Sequence, residues 1–279
     1  MNKENSKRRG RNYRHYFSWL LVTSISILIF ATVFRGCTSS EINRSEEEII
    51  SKKEEYVIGN LGGMRVRIPR YFVENVEYNE EENTKLLTFE SRFRSFGIDA
   101  RYPDMIGLEN SGIQEARRKE PLKNNWLRIA INSGSDYPGD GFLDRLAAGT
   151  LENFYSKKFS GHWRYSYERF EENFQGLEVW VLSMKDPRTN KPARFSEDTK
   201  DVYLHRDEKG KVAAYIECNR TYVAGGVSTC NLISDLEPKA KVSLKVSFAF
   251  HLLPEWIEIL RRSKKLLIDF EINGTESKK

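Results

Sequence analysis

Residues Phe17 to Phe34 run without a single ionisable side chain, and this stretch decides what the rest of the chain can be. As a helix rising about 1.5 Å per residue it measures roughly 27 Å, close to the hydrocarbon thickness of a bilayer, and a helix satisfies every backbone amide within itself. A transmembrane anchor is therefore predicted over 17–34. Lys3, Lys7, Arg8, Arg9, Arg11 and Arg14 precede it against one acid, Glu4. The positive-inside bias makes residues 1–16 a basic cytoplasmic tail and sends everything after Arg35 across the membrane in a single pass.

A second reading of the same start stays open. A basic leader, an apolar run and then Gly36-Cys37-Thr38-Ser39-Ser40 resemble a bacterial lipoprotein signal, with Cys37 as the lipidated residue. Arg35 opposes it, because that pattern wants small or aliphatic residues before the cysteine. Both readings tether the same domain on the same side. Residues 35–55 are polar and charged, with Glu48 and Lys52 at helical spacing but too little apolar content to pack, and they form a stalk.

The formal charge of +5 has to be divided at the membrane before it is used. Residues 1–35 hold seven basic side chains and one acid, which leaves −1 for residues 36–279. The basic excess belongs to the tail, and nucleic acid is excluded as a partner of the main domain.

From Tyr56 the pattern becomes that of a folded domain. Two β-rich runs at 56–69 flank Gly62-Gly63, with Met64, Val66 and Ile68 alternating against Arg65 and Arg67, and Pro69 closes the hairpin. Strands follow at Tyr71–Tyr78, Leu86–Phe89 and Phe96–Met105; in the last, Phe96, Ile98, Ala100 and Tyr102 share one face and Asp99 and Arg101 the other. A polar loop at 108–124 leads into a strand at Trp126–Ile131. The turn-forming run 134–141 opens a helix over about Asp140–Lys157, whose stripe is Leu143, Leu146, Ala147, Thr150 and Phe154. Trp163–Phe170 and Leu177–Ser183 pair as strands, a charged loop fills 186–200, and Val202–Leu204, Val212–Cys218, Thr229–Ile233 and Val242–Phe250 are strands. Pro254 opens a last helix with Leu253, Trp256, Ile257, Leu260 and Leu267 inward. Many short strands and two principal helices without regular alternation predict an α+β domain over 56–272, mainly antiparallel, with two halves conceivable near 160 and a disordered tail at 273–279.

Cys218 and Cys230 lie on strand-like segments either side of Gly225-Gly226. If these segments pair as a hairpin the sulfurs meet, and a disulfide closing a loop of about a dozen residues stabilises by roughly 3 kcal/mol. Crossing into an oxidising compartment favours the bond over two separate thiols. His15, His162, His205 and His251 lack zinc spacing, and Asp136, Asp140 and Asp144 miss the calcium-loop pattern. No nucleophile elbow, phosphate loop or dinucleotide fingerprint occurs. No metal, cofactor or catalytic residue is expected, and the domain is read as a non-enzyme.

Four stretches, Tyr56-Val-Ile-Gly-Asn-Leu-Gly-Gly, Ser95 to Met105, Tyr215-Ile-Glu-Cys218 with Cys230, and Leu253-Pro-Glu-Trp256-Ile-Glu-Ile259, resemble a group of poorly characterised membrane-anchored or lipoprotein-like proteins of Gram-negative bacteria. Some proteins of that layout protect their own cell against antibacterial toxins delivered to the periplasm, such as type VI secretion effectors. The resemblance implies an inner-membrane protein facing the periplasm, with a protein partner that is a secreted toxin. It transfers no catalytic residue. An envelope scaffold and a hydrolase without a recognisable motif are the alternatives, and no loop residue is singled out as a contact.

Overall fold

The hairpin forms because its turn needs glycine. β1 (Tyr56–Leu61) pairs antiparallel with β2 (Met64–Pro69), and Gly62 holds φ +58° where a side chain would meet the Lys241 carbonyl oxygen at 2.4 Å. Met64, Val66 and Ile68 are buried while Arg65 and Arg67 face water. The computed structural model describes residues 56–82, 86–109, 113, 115, 125–153, 155–156, 163–164, 166–186, 189–195, 199–219 and 228–272. The predicted tail, anchor and stalk, Cys37, His15, His162 and residues 273–279 lie outside them.

The remaining strands are β3 (Val73–Tyr78), β4 (Phe93–Arg101), β5 (Trp126–Asn132), β6 (Tyr155–Ser156), β7 (Trp163–Arg164), β8 (Tyr167–Arg169), β9 (Glu178–Leu182), β10 (Lys200–Arg206), β11 (Val212–Asn219), β12 (Thr229–Asp235) and β13 (Ser243–Ala249). Among the described residues two α-helices accompany them, α1 (Phe142–Asn153) and α2 (Trp256–Asp269), the latter entered through a 3-10 turn at Phe250–Glu255 that contains Pro254. Nine strands make one antiparallel sheet in the order β3-β4-β5-β13-β12-β11-β10-β9-β8, while β6 and β7 pair apart. The domain is thus α+β, dominated by its sheet. Among the described residues no helix is long and apolar enough to cross a membrane.

One sheet face carries the main core. Phe96, Ile98 and Ala100 of β4, Leu127, Ile129 and Ile131 of β5, and Leu244, Val246 and Phe248 of β13 pack with the β1–β2 hairpin and with Trp256, Ile259 and Leu267 of α2. On the reverse face α1 lays Leu143 and Ala147 against Val202, Leu204, Val212 and Tyr215. β10 and β11 are therefore covered on both sides, which is why their burial runs on instead of alternating. A bulge at Ala213 returns Val212 to the α1 face, where its amide donates to Asp144 Oδ1 at 3.0 Å.

Five local expectations are corrected. Leu86–Phe89 is no strand: Leu86 is 90% exposed, and the sheet resumes at Phe93 after a turn closed by Ser91 and Thr88. Helix α1 stops at Asn153 instead of reaching 157, since Tyr155 and Ser156 already pair with β7. The strand expected over 163–170 is split between β7 and β8, which belong to different sheets. Ile257 is 58% exposed and Ile259 is buried in its stead; two residues apart, they sit about 200° apart round the helix, so one must face water. Asp99, placed on the outer face, is only 3% exposed because Arg128 lies over it, with Nε and Nη2 donating at 3.2 and 3.3 Å.

Buried phenols give the fold an alkaline limit. Burial pushes Tyr78 and Tyr215 up to about 12 and likewise raises Tyr167; the Tyr215 hydroxyl donates to Thr150 Oγ1 and that of Tyr167 to the Lys200 carbonyl. A phenol that resists ionisation only when folded contributes stability in full below its ordinary value of about 10, and loses it as pH rises toward the folded value. The urea midpoint is expected to hold to about pH 9.5, then fall through pH 12, each such phenol lowering the folding constant by up to about tenfold per pH unit. Tyr215→Phe should flatten that slope, and an unchanged profile would assign the limit elsewhere.

Candidate functional site

At the β8–β10 end of the main core the sheet is not fully covered, and a cleft of about 450 Å³ opens there. Val179 of β9 and Tyr203 of β10 form its floor. Phe170 and Phe174 make one wall, while Phe250, Leu253 and Pro254 from the 3-10 turn make the other. Polar groups stand at the margin: Glu172, Asn173, Arg194 and His251. Phe170 is 49% exposed, an aromatic ring held at the mouth.

The walls are fixed by their own hydrogen bonds. Phe174 and Leu177 exchange both backbone bonds at 2.9 Å, Phe170 N donates to the Val179 carbonyl at 2.7 Å, and Trp256 Nε1 donates to the Gln175 carbonyl at 3.1 Å, tying the 170–175 segment to α2. Arg194 is held from below by Asp201, which is 1% exposed, through Nε at 3.0 and 3.2 Å and Nη2 at 2.8 Å. This two-pronged pair cancels the guanidinium charge at the cleft margin. The lining holds no serine, threonine, cysteine or lysine. Such a surface buries apolar groups and hydrogen-bonds around them through Glu172, Asn173, Tyr203 and His251.

Of the residues singled out in the sequence, His251 stands at the cleft and the other described ones serve elsewhere. Cys218 and Cys230, both fully buried, are opposite each other on β11 and β12 and joined as a disulfide with Cα atoms 4.1 Å apart. Asp136 pairs with Arg94 at 2.9 Å and Asp144 caps the Val212 amide. The His205 ring packs 5.2 Å from Trp256, and His251 lines the cleft. Among the described residues no three His, Cys, Asp or Glu side chains are grouped to hold a metal ion. Arg145 donates to the Asp140 and Pro138 carbonyls and so holds the 134–141 loop in place. The cleft comes instead from 170–174 and 250–254. Its signal in the sequence was Phe170 and Phe174 enclosing the polar run Glu171-Glu172-Asn173, two bulky rings at and just beyond the end of a predicted strand.

No protein-family model matches the chain, and no curated protein matches its sequence. Among solved structures the fold is similar to an immunity protein of the Stenotrophomonas maltophilia type IV secretion system, with a TM-score of 0.50 at 16% identity, covering 79% of this chain and 94% of that one. At that identity the likeness is one of fold.

Proposed function

We propose that this chain is a membrane-anchored, periplasm-facing binding protein that neutralises a secreted antibacterial toxin by occupying its surface. The observation that carries the reading is the apolar cleft, walled by Phe174, Phe250, Leu253 and Pro254, with the ring of Phe170 exposed at its mouth. A pocket of this kind is what a protein partner's buried anchor residue requires. The fold shared with a type IV secretion immunity protein supports it, and so does the resemblance of the sequence to anchored proteins that protect against type VI effectors. The apolar span 17–34 with its basic flank supplies the tether, and the toxin is met on the far side of the membrane.

A strain lacking the gene is expected to grow normally alone and to be killed in co-culture with siblings that deliver the cognate toxin. The purified chain should bind that toxin and protect in trans. Survival of the deletion strain against every toxin-bearing sibling would reject the immunity reading, and envelope damage in pure culture would replace it with a scaffold.

A further inference from the structure

The cleft is apolar inside and acidic at its mouth, and the two properties together describe an occupant. Its volume lies within the range that buries a large apolar group, and the exposed Phe170 extends the apolar surface outward to meet one. Glu171 and Glu172 are exposed beside Phe170, and Glu255, exposed beyond Pro254, accepts a hydrogen bond from Tyr102. On the cationic side Arg194 is neutralised by Asp201, and Arg169 is turned to Asn173 Oδ1 at 3.4 Å. Arg169 keeps its charge, so the exposed acids Glu171, Glu172 and Glu255 outnumber the one exposed cation that no carboxylate offsets, and the balance beside the lining is negative. We infer that the cleft takes one aromatic side chain of the toxin, from a segment that carries basic residues on both sides of that ring; this rests on the reading that the chain binds a protein toxin. Aromatic anchors dominate the centre of such contacts, while charges at the rim steer the approach and select the partner.

The probe is a labelled heptapeptide with tryptophan at its centre and two lysines on each side, titrated into the purified full-length chain. Two companions replace the tryptophan by alanine or the lysines by glutamate. The lysine–tryptophan peptide is expected to bind, both companions to bind about tenfold or more weakly, and binding to weaken as salt rises to roughly 0.5 M. Phe170→Asp should abolish the preference for tryptophan. Glu171→Lys combined with Glu172→Lys should reverse the preference for lysine. All three positions are exposed, so folding is kept, and a circular dichroism spectrum checks it. No binding by the lysine–tryptophan peptide, or equal binding by either companion, overturns the inference. Such a result leaves the immunity reading standing, because that reading is decided by the co-culture and toxin-binding outcomes.

Discussion

Asp201→Ala is expected to destabilise the domain by about 3–5 kcal/mol, the range for removing one partner of a buried ion pair. Arg194 is 21% exposed and its guanidinium makes three contacts with this one carboxylate, so the deletion strands a charge at the cleft margin. The measurement is the urea midpoint at constant slope. Arg194→Ala in the Asp201→Ala background should restore part of the loss, because the stranded charge is gone and the two effects do not add. A loss under about 1 kcal/mol, or simple additivity, would show that the pair is solvated. The same variant also tests the cleft: with Arg194 freed, the mouth loses net negative charge, and the lysine–tryptophan peptide should bind less well.

Replacing Cys218 and Cys230 together by alanine is expected to cost about 3 kcal/mol. The bond closes a loop of 12 residues, and the model based on chain entropy gives that size for a loop so short. Alanine is chosen because both positions are fully buried, and a serine hydroxyl would add a desolvation penalty of its own. Unfolding the native chain with reductant present should give the midpoint of the double variant. If the midpoints of native and variant chains coincide without reductant, the cysteines are thiols and the cross-strand bond is absent.

The fold could be read from the sequence wherever one face of an element is wet. The 64–69 alternation of Met64, Val66 and Ile68 with two arginines fixes both strand and register, and the β11–β12 pairing follows from the positions of Cys218 and Cys230. Reading fails where tertiary cover differs from local pattern. Leu86 and Leu87 have strand-like neighbours but stay exposed, Leu86 at 90%, while Asp99 is hidden by a guanidinium from the next strand. Ile257 and Ile259 are equally apolar, and only the phase set by the preceding 3-10 turn decides between them. The cleft was the least legible part, since it is assembled from segments 80 residues apart in sequence that meet only because β8 and β13 share a sheet and Trp256 bonds to Gln175.

The strand order also dictates a timetable for the growing chain. β3, β4 and β5 follow one another in sequence and in space, and so do β8 through β13, running back from the other edge. The two runs meet only where Leu244 and Val246 of β13 lie beside Ile131 and Ile129 of β5. β5 is thus made roughly 110 residues before its second neighbour. At about 5–20 residues per second, its unpaired edge stands open for something like 5–20 seconds, an interval in which another chain can pair with it. An agent that shields that edge until Ser243–Ala249 arrives would raise the yield of native protein without touching its final stability.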